Sequence, residues 1–369
     1  MTENNRIVFL DYLRVFAIFM VMIVHSCEQF YFGDDGGLLL RSLTDAKWAV
    51  GLDSACRASV PLFVMASAYL LFPVTRPTGE FLRRRILRVG VPFVVWSCVY
   101  NWWNKGSWGQ MLFNFPLATG GHLWFVPMLL GVYLLMPLIS PWAERATARE
   151  VRGWIALWLF TTAFPFIRRL WGALYGAPDF GAVPYLYGEC AWNDFGAFHY
   201  VSGFFGYLLL GFYVRKFLPA LSWRRTLAAA VPLGLVGWLV VALFFFCRIP
   251  NYGAEFPVSA PYAAIVDLET SWAFCSTGVA MTVIAYFLVF RKLTADGWFY
   301  AKVVRPLSEA SFGVYLVHIL VLCPVVAALR EHLPTGAAIL GSAALTFAVS
   351  ALVSALGRKI PRVGRFIFG

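Results

Sequence analysis

The sequence predicts an all-α fold: a polytopic integral membrane helix bundle of about ten transmembrane helices, with both termini in the cytoplasm. Three observations predict it. Of the 369 residues, 60% are hydrophobic and only 13% are charged, whereas a soluble globular chain carries roughly 25% charged residues. Apolar runs of about 20 residues, enough to cross a hydrocarbon core, recur from one end of the chain to the other. The basic residues sort by loop instead of gathering in one patch.

Windows bounded by charge and by Gly/Pro clusters place helices near 7–27, 48–72, 86–104, 122–142, 151–171, 199–216, 227–247, 267–290, 308–329 and 336–356. The first run resembles a secretory signal in position only. It contains Asp11 and Arg14, lacks a small-x-small site before Ser26 and Cys27, and is followed at once by further spans, so it reads as a permanent helix. The second carries Asp53 and Arg57, and the third is entered through the run Arg83-Arg-Arg-Ile-Leu-Arg88. The fourth opens at Gly120-Gly-His122, and the ninth contains Ser311-Phe-Gly-Val-Tyr-Leu-Val-His318. No linker or internal repeat interrupts the pattern, so residues 1–369 are expected to form a single domain.

The loops after the even-numbered helices, together with both termini, hold 21 of the 30 basic residues, which assigns that side to the cytoplasm. The net charge of +11 therefore reports topology and the lipid bilayer as partner, not a nucleic acid. The opposite loops, 28–47, 172–198 and 248–266, are longer and rich in Gly, Pro and aromatics such as Tyr185, Tyr187, Trp192, Tyr252 and Tyr262. Such a surface suits an interfacial belt or a carbohydrate. The seven cysteines show no CxxC spacing and carry neither a metal nor a disulfide signature.

Charge in a hydrocarbon core costs at least about 2.5–3.5 kcal/mol per residue, so ionisable groups within the spans are candidates for function. Helix 1 offers Asp11, Arg14 and His25. At 100° per residue, the steps from Arg14 to His25 end only about 20° past three full turns and rise about 16 Å, so both lie on one face. An i,i+3 pair of Asp11 with Arg14 and a capping role for His25 are the alternatives. Asp53 and Arg57, at i,i+4, read as a satisfied structural pair. His318, one turn after Tyr315, reads either as a hydrogen-bonded core histidine or as a functional group. The arginine run before helix 3 is either an inner-face anchor or a phosphate site.

In combination these residues resemble acyltransferase family 3 of bacterial membrane proteins. The resemblance rests on Leu10-Asp-Tyr-Leu-Arg14 followed by His25, on Val60-Pro-Leu-Phe-Val-Met-Ala-Ser-Ala-Tyr-Leu70, on Arg85-Ile-Leu-Arg88, on Gly121-His-Leu-Trp-Phe125 and on Ser311 to His318, in family order. It implies a membrane-bound O-acyltransferase, in the short form without a fused SGNH hydrolase domain. Such an enzyme moves an acyl group, usually acetyl, from cytoplasmic acyl-CoA to an extracytoplasmic or lipid-linked glycan, and works in the bacterial inner membrane. His25 maps onto the family's essential histidine and Arg14 onto its paired arginine, while Arg85 and Arg88 match the RxxR motif associated with the acyl donor. Two departures stand out: Ala68 occupies a position that is commonly Gly, and Phe312 one that is commonly Tyr.

Acyl transfer from a thioester to an alcohol needs a base, a stabiliser for the oxyanion and exclusion of water. His25 suits the base because imidazole titrates near neutrality, and an acyl-histidine intermediate is the alternative. Asp11 stands too far along the helix to orient His25, whereas Glu28 at i+3 is closer. The expected acceptor-side or supporting residues are Asp11, His122, Trp124, Ser311, Tyr315 and His318. Acyl-CoA is the expected co-substrate, and no metal is expected. The competing reading is a proton-coupled secondary transporter of a small solute, against which stands the lack of an inverted repeat.

Overall fold

The computed structural model describes residues 6–109, 111, 121–164, 166–167 and 200–369, with nothing to be said of the side chain of Arg365. The loop aromatics Tyr185, Tyr187 and Trp192 lie outside the described residues. In chain order the elements are α1 (Val8–Glu28), β1 (Leu38–Leu40), α2 (Leu43–Cys56), α3 (Ser59–Leu71) and α4 (Thr78–Arg85). A π-helical turn, Ile86–Gly90, joins α4 to α5 (Val91–Trp103). A 3-10 turn, Gly121–Trp124, leads into α6 (Phe125–Arg145), which is followed by α7 (Ala148–Thr162), α8 (Phe205–Lys216) and α9 (Trp223–Arg248). Then come β2 (Val258–Ala260), α10 (Tyr262–Leu268), a 3-10 turn Glu269–Trp272 and α11 (Thr277–Phe290). A second π turn, Tyr300–Val304, opens α12 (Arg305–Arg330), and α13 (Thr335–Gly357) and α14 (Gly364–Phe368) complete the chain.

A helix falls in each of the ten expected windows. Among the described residues, six helices are long and apolar enough to cross a membrane, or seven if the pair Tyr262–Trp272 and Thr277–Phe290, bent by 46°, is one broken span. The remaining three, α5, α7 and α8, have 13, 15 and 12 residues. Among the described residues each of these stretches is shorter than the roughly 20 residues that a perpendicular crossing needs, with α5 continuing from α4 through the π turn. The expected helical architecture is therefore present, while the length criterion supports a smaller number of spans than ten.

Proline accounts for three interruptions of the helical ladder. A proline ring removes the donor for the carbonyl four residues earlier and collides with it. Pro61 does this at Arg57, where the expected continuous helix divides into α2 and α3. Pro92 does it at Arg88 and Pro306 at Lys302, and both carbonyls lie in the π turns. There the ladder shifts to i→i+5, with the Val91 N–H bonded to the Ile86 carbonyl and the Arg305 N–H to that of Tyr300. Such turns recur at functional sites. Thr147 and Glu150 begin α7 with a capping box that satisfies two otherwise free backbone donors.

α1 lies at the centre and packs against α2, α3, α11, α12 and α13. α9 and α11 meet where two glycines face each other: a Cβ on Gly237 would stand 2.6 Å from the Gly278 carbonyl oxygen. Close backbone approach of this kind replaces the missing hydrophobic drive between helices in lipid. The far side of α9 presents Leu227, Val231, Leu235, Leu239 and Leu243 as an exposed apolar stripe at four-residue spacing. In water that stripe would be a liability, and against acyl chains it is the expected surface.

The two three-residue strands pair antiparallel, Leu38 with Ala260 and Leu40 with Val258. They tie together the loops after α1 and after α9. Gly37 is required there, because a Cβ would meet the Ala260 carbonyl oxygen at 2.7 Å.

Candidate active site

A cavity of about 830 Å³ runs beside α1 from its N-terminal to its C-terminal end. This lies within the range of small-molecule sites, roughly 300–1,000 Å³. Its lining brings together groups from several segments: Arg14, Arg85 and Arg88 toward one end, His25, Glu28 and Arg57 toward the other. Ser311 and Tyr315 of α12 line it too, as do His122 and Trp124.

At the N-terminal end Asp11 is saturated. Arg6 donates to it from Nε at 2.5 Å, Tyr300 from its hydroxyl at 2.7 Å and Ser308 at 2.6 Å. Arg14, the expected i,i+3 partner, is only loosely paired, its Nη1 standing 3.6 Å from the same carboxylate. Asp11 thus anchors the N-terminal segment to the π turn before α12, and the Arg14 guanidinium is left directed to the cavity that it lines.

Arg85 closes α4 and Arg88 lies in the π turn that follows. Burial draws the Arg85 guanidinium below its ordinary pKa, with Tyr133 opposing that effect, and its Nε is buried without a hydrogen bond. Its Cζ stands 5.8 Å from the Phe81 ring centre and 6.0 Å from that of Tyr133. A guanidinium that rests on an aromatic floor with only Tyr133 as a side-chain hydrogen-bond partner, beside a second cationic side chain, has the chemistry to receive a phosphate group.

At the other end the His25 Nδ1 and the Glu28 Oε2 are 2.7 Å apart, one turn from each other on α1. With the carboxylate accepting from Nδ1, the lone pair of Nε2 is free to take a proton. This is the arrangement of a histidine base oriented by an acid. The pairing was visible in sequence only as a spacing.

Two further histidines close round the first. The His318 ring lies 5.1 Å from that of His25, centre to centre, and His122 stands edge-on to His318 at 5.0 Å. His318 donates from Nδ1 to the Tyr315 carbonyl, and the Nε2 atoms of both His318 and His122 are buried without a hydrogen bond. The His25 and His318 rings meet tilted by 36° and the His122 and His318 rings edge to face, and among the described residues no group of three or more His, Cys, Asp or Glu is placed to hold a metal ion.

Other expected residues take supporting places. The Tyr315 hydroxyl donates to the His122 carbonyl at 2.7 Å, and Ser311 donates to the Ser308 carbonyl at 2.8 Å. Trp124 is partly exposed at the His25 end, and its ring lies 5.1 Å from that of Phe274, tilted by 30°, with both lining the cavity. At the position where Gly is usual, Ala68 is fully buried against Gly211, whose missing side chain leaves it room.

Apolar helices round a cavity that joins a cationic end to a histidine–carboxylate pair define a helical membrane protein with an enzyme-like site. A family model described as an acyltransferase domain matches residues 7–355, nearly the whole chain, and the protein belongs to this family, acyltransferase family 3. It is accordingly a transferase that delivers an acyl group to a hydroxyl-bearing acceptor. No curated protein and no solved structure matches the chain.

Proposed function

We propose that the protein transfers an acetyl group from cytoplasmic acetyl-CoA to a hydroxyl of an extracytoplasmic or lipid-linked glycan, working as an O-acetyltransferase of the bacterial inner membrane. One observation carries this reading: a single cavity is lined both by the cationic residues Arg14, Arg85 and Arg88 and by the His25–Glu28 pair. The distribution of basic residues supports an arginine end on the cytoplasmic side, with both termini there and about ten crossings. His25 is then directed toward the outer compartment.

In this reading the nucleotide phosphates of CoA dock on Arg85 and Arg88, and Arg14 contacts the donor along its path. The rise of about 16 Å from Arg14 to His25 is comparable to an extended pantetheine arm, so the thioester carbonyl arrives beside the imidazole. His25 Nε2 removes the acceptor hydroxyl proton as the oxygen attacks the carbonyl carbon, and the C=O π pair moves onto oxygen. When the tetrahedral intermediate collapses, the carbon–sulfur bond breaks and the CoA thiolate takes the proton back from the imidazolium. Glu28 holds the imidazole in register and stabilises its charged form. Trp124 and Phe274 offer an aromatic platform for a sugar ring.

Mass spectra of surface glycans from cells with and without the gene test this. A difference of one acetyl unit on a glycan is expected. Identical glycan masses would overturn the reading.

A further inference from the structure

Arg57 looks in sequence like half of a closed ion pair with Asp53, and half of the guanidinium is just that. Nε donates to Asp53 Oδ1 at 2.5 Å and Nη2 to Oδ2 at 3.0 Å. Nη2 also stands 3.4 Å from the Tyr31 hydroxyl and 3.9 Å from Glu269 Oε1. The planar cation lies on the Trp272 ring at 4.5 Å, and the indole N–H is fixed on Ser54 at 3.0 Å. Every one of these bonds uses Nε or Nη2, none Nη1. Arg57 meanwhile lines the cavity together with His25 and Glu28, and is close enough to interact electrostatically with both.

The backbone places it so. Arg57 and Ala58 form the turn between α2 and α3, opened by Pro61, and the side chain therefore leaves the bundle wall at a break in the ladder. A charge with 8% of its side chain exposed, pinned by a bidentate carboxylate and a stacked indole, is rigid. A rigid buried donor facing the place where charge develops is what an oxyanion requires.

We propose that Arg57 is a catalytic residue: its Nη1 donates to the carbonyl oxygen of the bound acyl thioester and stabilises the oxyanion formed when the acceptor oxygen attacks. Asp53, Tyr31, Glu269 and Trp272 are the groups that aim it. The assignment rests on the acyl-transfer reading given above. The balance of that step is unchanged, since Arg57 keeps its protons and contributes only hydrogen bonds to the oxygen that gains the electron pair.

The test uses membrane vesicles that carry the full-length protein and their own glycan, with radiolabelled acetyl-CoA on the cytoplasmic face. Arg57→Gln is expected to lower kcat about 10²–10³-fold while KM for acetyl-CoA changes less than about threefold. Arg57→Lys keeps a cation for Asp53 but cannot hold the carboxylate and reach the oxyanion at once, so it is expected to remain folded by thermal melting in detergent and still lose about 10²-fold in kcat. A folded Arg57→Lys protein with wild-type kcat would overturn the proposal, as would a rate loss confined to KM. If the wild-type protein itself transfers no label, the acyl-transfer reading fails first; if it and both variants transfer label equally well, only the role of Arg57 fails.

Discussion

The Glu28 carboxylate accepts from His25 Nδ1 across 2.7 Å, one helical turn along α1. The i,i+3 spacing of a helix brings the two side chains together, and both residues line the cavity. Glu28→Gln keeps the shape but removes the charge that favours the imidazolium. It is expected to lower the acyl-transfer kcat about 10–100-fold with little change in KM for acetyl-CoA, as read from label incorporation into glycan at saturating and limiting donor.

The donor end should behave in the opposite way. Arg85→Ala combined with Arg88→Ala removes phosphate contacts made equally in the ground and transition states, so KM for acetyl-CoA is expected to rise about tenfold or more with kcat near wild type. Initial rates across a donor series check this. An unchanged KM would return both arginines to a purely topological role.

Tyr315 bonds the His122 carbonyl through its hydroxyl and so is committed to structure. Tyr315→Phe is expected to destabilise the protein by about 1 kcal/mol and to leave turnover within a few-fold of wild type, read by thermal melting in detergent beside the vesicle assay.

Packing of α9 on α11 depends on Gly237 and Gly278. Gly237→Val introduces a Cβ at 2.6 Å from a backbone oxygen that cannot move aside cheaply. Overpacking of this kind costs about 1–3 kcal/mol, and a lowered melting temperature with donor KM unchanged in the surviving folded protein is the expected result.

Much of this was legible in the sequence, for physical reasons that differ by residue. Arg14 and His25 share a helix, so periodicity alone sets them on one face. Asp11 was placed correctly away from His25, but its partners Arg6, Tyr300 and Ser308 come from the preceding segment and from the distant α12 region, which no spacing reveals. The gathering of His25, His122 and His318 likewise joins three segments far apart in the chain. Arg57 was hidden by its own i,i+4 partner, because a satisfied pair in sequence gives no sign of an unused Nη1. A signal existed in the prolines: four residues upstream of Pro61 and Pro92 lie the break and the π turn that the second and third apolar windows ran through, and four upstream of Pro306 lies the π turn just before the ninth.

The central claim is that the acyl group crosses through the cavity while CoA remains on its own side. Sealed vesicles given acetyl-CoA labelled separately in its acetyl and adenine portions measure this directly. Acetyl label should accumulate on glycan in the opposite compartment, adenine label should stay outside, and His25→Ala should abolish the transfer at an equal protein level. Adenine label crossing along with acetyl, or transfer undiminished in His25→Ala, would contradict the account.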